Sequence, residues 1–476
     1  MRKIRNYLIT ISLVLLSQLA FPANAHQLPD LGNEFRDVIS IHDEALIGNV
    51  MMCSIRAQGV MHNDLLVQEY VSHLGNRLTP YMQMPYSNLR IKFFALNDNS
   101  INAFAFFGGH VAVHSGLITS TENESELAGV MAHELAHISQ QHVLRQMSED
   151  KRQMPITIAS ALASMAIGVP ELVLASFAGH AQKMLNFSRQ HEQEADRLGL
   201  QILSKANFDP QGLPNILERM NLSLRYHNKP PEYLLTHPLF ESRIADTRSR
   251  ANTLRAKQQG SSNMFHLIRA RLLVQNADNL QRLLEEYEKA LATQRYNNKM
   301  AADYTYAYIL LQKGQPHKAW DAFSELVSAY PDDLIIQSTA AEILAQQDKF
   351  KLALHRTEHL LQIYPDSAAI LLQHVNLLLQ NKQPKLARKF LQTYKELHTP
   401  DPTYYEHVRQ TEGIFNNQFA IYEANAEWYA LHGDLNSALK QLELADSIPA
   451  TDQKSKHRIK NRKQELADLL VKIKKL

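Results

Sequence analysis

Leu127, Val130, Met131, Leu135 and Ile138 recur at intervals of three and four, which predicts a helix with one apolar face. Thr121 and Glu124 stand ahead of it in the order of a capping box. A second helix is expected to start at Ser188 and run on to Leu203. Upstream of both, Asn102 to Ile118 reads as two short strands around the Gly108-Gly109 turn, with His110 and His114 as structural or surface histidines. Pro155 to Ala178 is apolar apart from Glu171, but Gly168-Val169-Pro170-Glu171 divides it into pieces too short to cross a bilayer. It is expected to form buried or membrane-touching helices, and its position suits a lid or plug.

From about residue 265 the pattern becomes repetitive. Ala319, Ala353 and Ala387 fall 34 residues apart, and so do Pro331 and Pro365. That is the tetratricopeptide period, in which small residues sit where paired helices approach closely. Gly314 with Lys318-Ala319 opens one unit, Asp348 with Ala353 the next, and Gln383 with Ala387 a third that closes at Pro400. A further unit carries Gly433-Asp434, Ala438 and Ala445. Lys454 to Leu476 reads as a basic capping helix with Leu466, Leu469, Leu470 and Ile473 on one side. Such stacks offer a concave surface to peptides or partner proteins. Residues 251–264 form the expected linker. The chain is thus mainly α: a first domain of helices with a small sheet over 26–250, then an α-solenoid over 265–476.

Residues 1–25 have the parts of a signal peptide: Arg2, Lys3 and Arg5, then the apolar run Leu8 to Leu19, then Ala23-Asn24-Ala25 before His26. Export with cleavage after Ala25 is the expectation. Cys53 is the sole cysteine of the 476 residues, so no intrachain disulfide staples the fold, and it is expected to be buried in a helix. Formal net charge is +2, and no basic patch interleaved with aromatics appears in the first half, which argues against nucleic-acid binding.

His133-Glu134-Leu135-Ala136-His137 spells H-E-x-x-H within the first predicted helix. Residues four apart share a helix face, so both imidazoles can reach one Zn²⁺, and Glu134 can act as general base toward a water the metal activates. A catalytic site needs a third protein ligand. His142 lies five residues past His137, about 140° round the helix, and is expected to face elsewhere. Gln140 stands where the metzincin pattern requires glycine, which rejects that class. The second helix offers Glu192 and Asp196 on one face, with Glu194 pointing nearly opposite. One of Glu192 and Asp196 can ligate while the other orients a ligand histidine. Spacing does not say which does which.

With Ser188-Arg189 ahead of Glu192, Ala195-Asp196 after it, and His237-Pro238 followed by Arg243, the chain resembles gluzincin peptidases of the HtpX, Oma and CAAX-prenyl-protease type over roughly residues 40–250. The resemblance implies a zincin-type α+β metalloprotease domain holding one Zn²⁺ on His133, His137 and Glu192, with Asp196 behind the ligands. It places His237 and Arg243 at the site, to bind substrate or stabilise the oxyanion, with His237 alternatively reaching the metal in a resting form. It also places a strand beside the metal, whose edge can hydrogen-bond an extended substrate backbone.

The exported, repeat-bearing branch of that family further implies a periplasmic endopeptidase in outer-membrane protein assembly and quality control, with chaperone activity alongside. Its substrates would be unfolded or misassembled outer-membrane proteins. Its partners would be the β-barrel assembly machinery and the lipopolysaccharide-insertion complex, with peripheral membrane contact. The alternative is a non-catalytic tetratricopeptide chaperone or scaffold with a latched or vestigial zinc site, and the intact Glu134 argues against it.

Overall fold

The computed structural model describes residues 40–475 apart from 87–88, 150–186, 227–230, 255–259 and 449–452. The expected leader at 1–25 and the apolar stretch 155–178 expected as buried or membrane-touching helices lie outside the described residues. Among the described residues, no helix is long and apolar enough to cross a membrane.

Helices α1 (Ile41–Ala57) and α2 (Leu65–Leu78) lead into three strands, β1 (Lys92–Leu96), β2 (Ala103–Phe106) and β3 (His110–His114). The sheet order is β1-β3-β2, with β1 parallel to β3 and β2 antiparallel, Ala105 facing Val111. β2 is therefore an edge strand. The β2–β3 turn needs left-handed backbone at Gly108 (φ 74°) and Gly109 (φ 75°), which glycine adopts without strain. His110 and His114, at the two ends of β3, are buried, the first on the Phe107 carbonyl and the second on Ser100.

After α3 (Ser115–Ser120) comes α4 (Glu124–Ser139), which carries H-E-x-x-H. Its cap is Asn123 rather than Thr121: Asn123 Oδ1 accepts from Glu126 N at 3.0 Å, while the Thr121 hydroxyl turns back to the Ile118 carbonyl. Four further helices follow: α5 (His142–Glu149), α6 (Arg189–Lys205), α7 (Gly212–Tyr226) and the short α8 (Tyr233–Thr236). α9 (Glu241–Thr253) follows, with Ala251 buried in its last turn. Ser262 then donates to Glu124 Oε1 at 2.7 Å, and Ser261 accepts from Glu124 N at 2.9 Å. Ser261 and Ser262, near the end of the expected linker, are thus tied to the start of α4.

The repeats are helix pairs. α10 (Asn263–Gln275) and α11 (Leu280–Ala292) come first, then α12 (Lys299–Gln312) with α13 (Pro316–Ala329). α14 (Leu334–Gln346) pairs with α15 (Phe350–Ile363), and α16 (Ala368–Gln380) with α17 (Pro384–Leu397). α18 (Pro402–Ile414) pairs with α19 (Gln418–Leu431), and α20 (Leu435–Ser447) with α21 (Gln453–Lys475). Left-handed residues turn four of these pairs at Gly314, Asp348, Lys382 and Asn416, again 34 residues apart. Ala319, Ala353 and Ala387 are completely buried where the helices meet. Ala353→Leu should therefore overpack that contact and cost about 1–3 kcal/mol. A lowered denaturant midpoint with an unchanged slope would show it; an unchanged midpoint would mean the helices have room to part.

The repeats do not stand apart from the first unit. One apolar core contains Leu74 of α2, Val113 of β3 and Leu127 of α4 together with Phe265, Tyr304, Ile336 and Ile370 of the repeats. Glu69 of α2 accepts from Ser367 Oγ at 2.9 Å and from Ala369 N at 3.1 Å. Arg271 of α10 is buried between Asp64, which caps α2, and Glu342 of α14, and it also reaches Tyr304 and Thr339. A second core joins Ile47 and Val50 of α1 to Ala426, Leu435, Leu442, Ile459 and Ile473 of the last repeats. The apolar side of the terminal helix is spent there. Cys53, half-buried in α1, points its thiol at the Ala430 carbonyl 3.7 Å away, and burial pushes that thiol up to about 11.

Candidate metal centre

α4 is buried along nearly its whole length, so both histidines of the motif face protein rather than water. α6 crosses it closely because Gly199 has no side chain: a Cβ there would sit 3.1 Å from His133 Cα. Glu192 and Asp196, two turns and one turn earlier on α6, are thereby carried against the two imidazoles. α8 ends at His237, whose N–H still donates to the Tyr233 carbonyl at 2.8 Å. The edge strand β2 covers another side, where Ala105 N donates to Glu134 Oε2 at 3.1 Å.

His133, His137, Glu192 and His237 form a group of donor atoms that can hold one metal ion, all four residues buried. His133 Nε2 lies 3.0 Å from His137 Nε2 and 3.5 Å from Glu192 Oε2. His137 Nε2 lies 3.4 Å from Glu192 Oε1, and His237 Nδ1 lies 3.0 Å from Glu192 Oε1 and 3.4 Å from His133 Nε2. A tetrahedral zinc with bonds of 2.0–2.1 Å spaces its ligand atoms about 3.3 Å apart. The donor set fits.

Asp196 stands behind this group. Its Oδ1 is 2.9 Å from His133 Nδ1, the ring nitrogen turned away from the cluster, which is how a carboxylate orients a ligand imidazole. Arg243 is fully buried and grips Asp196 with Nε and Nη2 at 2.7 and 2.9 Å, while Nη1 reaches Glu192 Oε2 at 2.6 Å. Nη1 also reaches the His237 and Pro238 carbonyls at 3.3 Å. In this arrangement Arg243 braces the two carboxylates, and its donors are taken up by protein instead of facing a substrate.

The charges follow from burial and these partners. Burial would raise Glu192, but Arg243 and His237 hold its carboxyl well below the ordinary range. Asp196 is lowered too, because Arg243 and His133 outweigh its burial. Burial pulls His133 down, yet its bonds to Asp196 and Glu192 carry it up to about 9. In His137 burial wins and the ring is held well below the usual imidazole value. Glu134 goes up through burial, against the pull of His237 and His133. Its Oε1 is buried without a hydrogen-bond partner among the described residues, 3.3 Å from His237 Nε2. A carboxylate raised toward neutrality with one free oxygen is suited to taking and returning a proton.

Three neighbours carried no signal in the sequence. Tyr233 stacks on His237 with ring centroids 4.5 Å apart, and Phe187 stacks on His137 at 4.0 Å. The third is His142, expected to face away. α4 instead ends at Ser139, Gln141 takes φ 52°, and the chain restarts as α5 with His142 Nδ1 2.9 Å from His137 Nδ1. The premise of a continuous helix fails there. His142 still reaches His137 only from behind, and is not among the four donors.

A buried ring of three imidazoles and a carboxylate, with an adjacent glutamate aimed into it, defines a metallopeptidase of the H-E-x-x-H class. The sequence pattern of Peptidase family M48 matches residues 66–251. The beta-barrel assembly-enhancing protease of Escherichia coli (strain K12) is 35% identical over 434 residues, covering 90% of this chain and 88% of its own. That of Yersinia pestis is 33% identical, covering 87% of this chain and 86% of its own. The mitochondrial metalloendopeptidase OMA1 of Schizosaccharomyces pombe is 29% identical over 197 residues, 41% of this chain and 56% of its own. The chain therefore belongs to Peptidase family M48, and is a metalloendopeptidase that resembles the beta-barrel assembly-enhancing proteases along most of its length.

Proposed function

We propose that the chain is an exported zinc endopeptidase that removes misfolded or stalled β-barrel proteins during outer-membrane assembly. The observation that carries the chemistry is the 3.0–3.5 Å spacing of the buried His133, His137, Glu192 and His237 donor atoms. Likeness to the beta-barrel assembly-enhancing proteases over 90% of the chain supports the setting, and the leader-like residues 1–25 support a periplasmic location. On this reading residues 26–250 cut, and residues 265–476 hold substrate or dock on the assembly and lipopolysaccharide-insertion machinery. Holding a substrate near the site raises its effective concentration.

His133, His137 and Glu192 would hold one zinc, which when bound supplies Lewis acidity to a water and to the scissile carbonyl. Glu134 Oε1 takes the proton of the attacking water and returns it to the leaving amine. The outer edge of β2 would pair with the substrate backbone and lay the scissile bond across the donor group. Asp196 keeps His133 Nδ1 protonated, and Arg243 keeps Glu192 and Asp196 ionised and in place.

His237 has one ring nitrogen among the donors and the other facing Glu134, and on this reading it fills the position a substrate would take. This is a latched resting state, and it would protect neighbouring proteins from a free protease. If the latch holds about nine-tenths of the molecules, His237→Ala should raise casein hydrolysis about tenfold. Equal or lower hydrolysis would mean that His237 serves the transition state and does not block access to it.

A further inference from the structure

His142 and Glu194 are left without a role by the mechanism above. His142 is completely buried, and its two ring nitrogens face opposite ways. Nδ1 lies 2.9 Å from His137 Nδ1, and Nε2 lies 3.1 Å from Glu194 Oε2. Glu194 also accepts from Arg145 Nη1 at 3.1 Å. Flat rings hold the arrangement, His191 stacked on His142 at 4.4 Å and Phe187 on His137 at 4.0 Å.

A neutral imidazole has one N–H and one lone pair, so two facing Nδ1 atoms bond only if one donates and the other accepts. His137 turns Nε2 toward His133 and Glu192, at 3.0 and 3.4 Å. A metal there takes the Nε2 lone pair, which fixes the His137 proton on Nδ1. That proton can only go to the lone pair of His142 Nδ1. The His142 proton is then on Nε2, aimed at the Glu194 carboxylate. Each N–H points outward, from ligand to acid, and no other assignment satisfies both contacts.

We propose that His142 and Glu194 are positioning residues for His137, a two-step relay that fixes its tautomer and ring plane and strengthens it as a metal ligand. The inference rests on the zinc reading above. It makes the two ligand histidines equivalent: His133 is oriented by Asp196 directly, and His137 by Glu194 through one intervening imidazole. The extra ring is needed because Glu194 lies on a different face of α6 from Glu192 and Asp196. The break at Gln140-Gln141 is what brings that ring into line.

The test is the zinc dissociation constant of the mature chain, from competition with a chromophoric chelator. His142→Phe fills the space and cannot accept from His137, and should weaken zinc binding about 10–100-fold. His142→Asn places an amide oxygen near the position of Nδ1 and should recover much of the loss. Glu194→Gln keeps an acceptor without the charge, should weaken binding only severalfold, and is informative even if the Phe variant does not fold. In the zinc-loaded parent, nitrogen NMR should show the His137 proton on Nδ1. A purely structural role would order the variants by fit, with Phe above Asn. That order, or parent-like affinity in both the Phe variant and Glu194→Gln, overturns the relay and leaves the zinc site standing. No zinc on the parent overturns both.

Discussion

Glu134→Gln should retain its zinc and lose casein hydrolysis by about 10²–10⁴-fold, the usual contribution of a positioned general base. Glu134 is not among the four donors, so the metal does not depend on it. Glutamine has nearly the same shape, and its carbonyl oxygen can keep the bond from Ala105 N that pins Glu134 to the edge strand. What disappears is a basic oxygen at the position of Oε1, which has no hydrogen-bond partner among the described residues. Casein hydrolysis measured beside metal content separates loss of the base from loss of the site. Activity within tenfold of the parent would assign the base to another group. If the inactive protein still promoted assembly of outer-membrane proteins, the chain would be a chaperone as well as a protease.

Arg271→Met should destabilise the whole chain by about 3–5 kcal/mol, because it strands two carboxylates inside the joint between the two units. Asp64 and Glu342 both end on this guanidinium, and Asp64 is also the cap of α2. Burial pushes Asp64 up, but the charge and hydrogen bonds of Arg271 outweigh it and hold the carboxyl below its ordinary value. Burial also raises Glu342, against the pull of Arg271. The pH dependence has a definite sign. With Arg271 present, the depressed Asp64 contributes stability above its unfolded value of about 3.9, which is lost as pH falls through the folded value. Without Arg271 the same carboxyl is raised, a penalty that is present at neutral pH and relieved on acidification. The stability gap between parent and variant should therefore narrow as pH falls from 7 toward 4. Denaturant melts at several pH values measure it, and a gap that stays constant would show that Asp64 is not coupled to Arg271.

Motif spacing made most of the metal centre legible. H-E-x-x-H needs only helical periodicity, and α4 supplied it. Spacing alone left Glu192 and Asp196 interchangeable, because which of two residues on one face meets the cluster depends on how α6 crosses α4. That crossing is set at Gly199, a position with no chemical signature. His142 was misplaced for a related reason: the helix breaks at Gln140-Gln141, where no glycine or proline marks a stop. Thr121 and Asn123 are both good caps, and the packing of Glu124 against Ser262 and Tyr70 favours the second. In the repeats, alanine and proline phase showed three units. The pair α18–α19 was passed over because Ile421 stands where the next alanine of the series would fall, although Asn416 keeps the turn in phase. Least legible was the joining of the two halves. Arg271, Asp64 and Glu342 are scattered along the sequence, and nothing local marks them as partners.

The measurement that bears most directly on the account is the zinc content of the purified protein after passage over a weak chelating resin, beside that of Glu192→Gln. One zinc per chain in the parent and little in the variant is the expected result, since Glu192 supplies the only carboxylate among the four donors. A parent without zinc, or a variant that keeps a full equivalent, would contradict it.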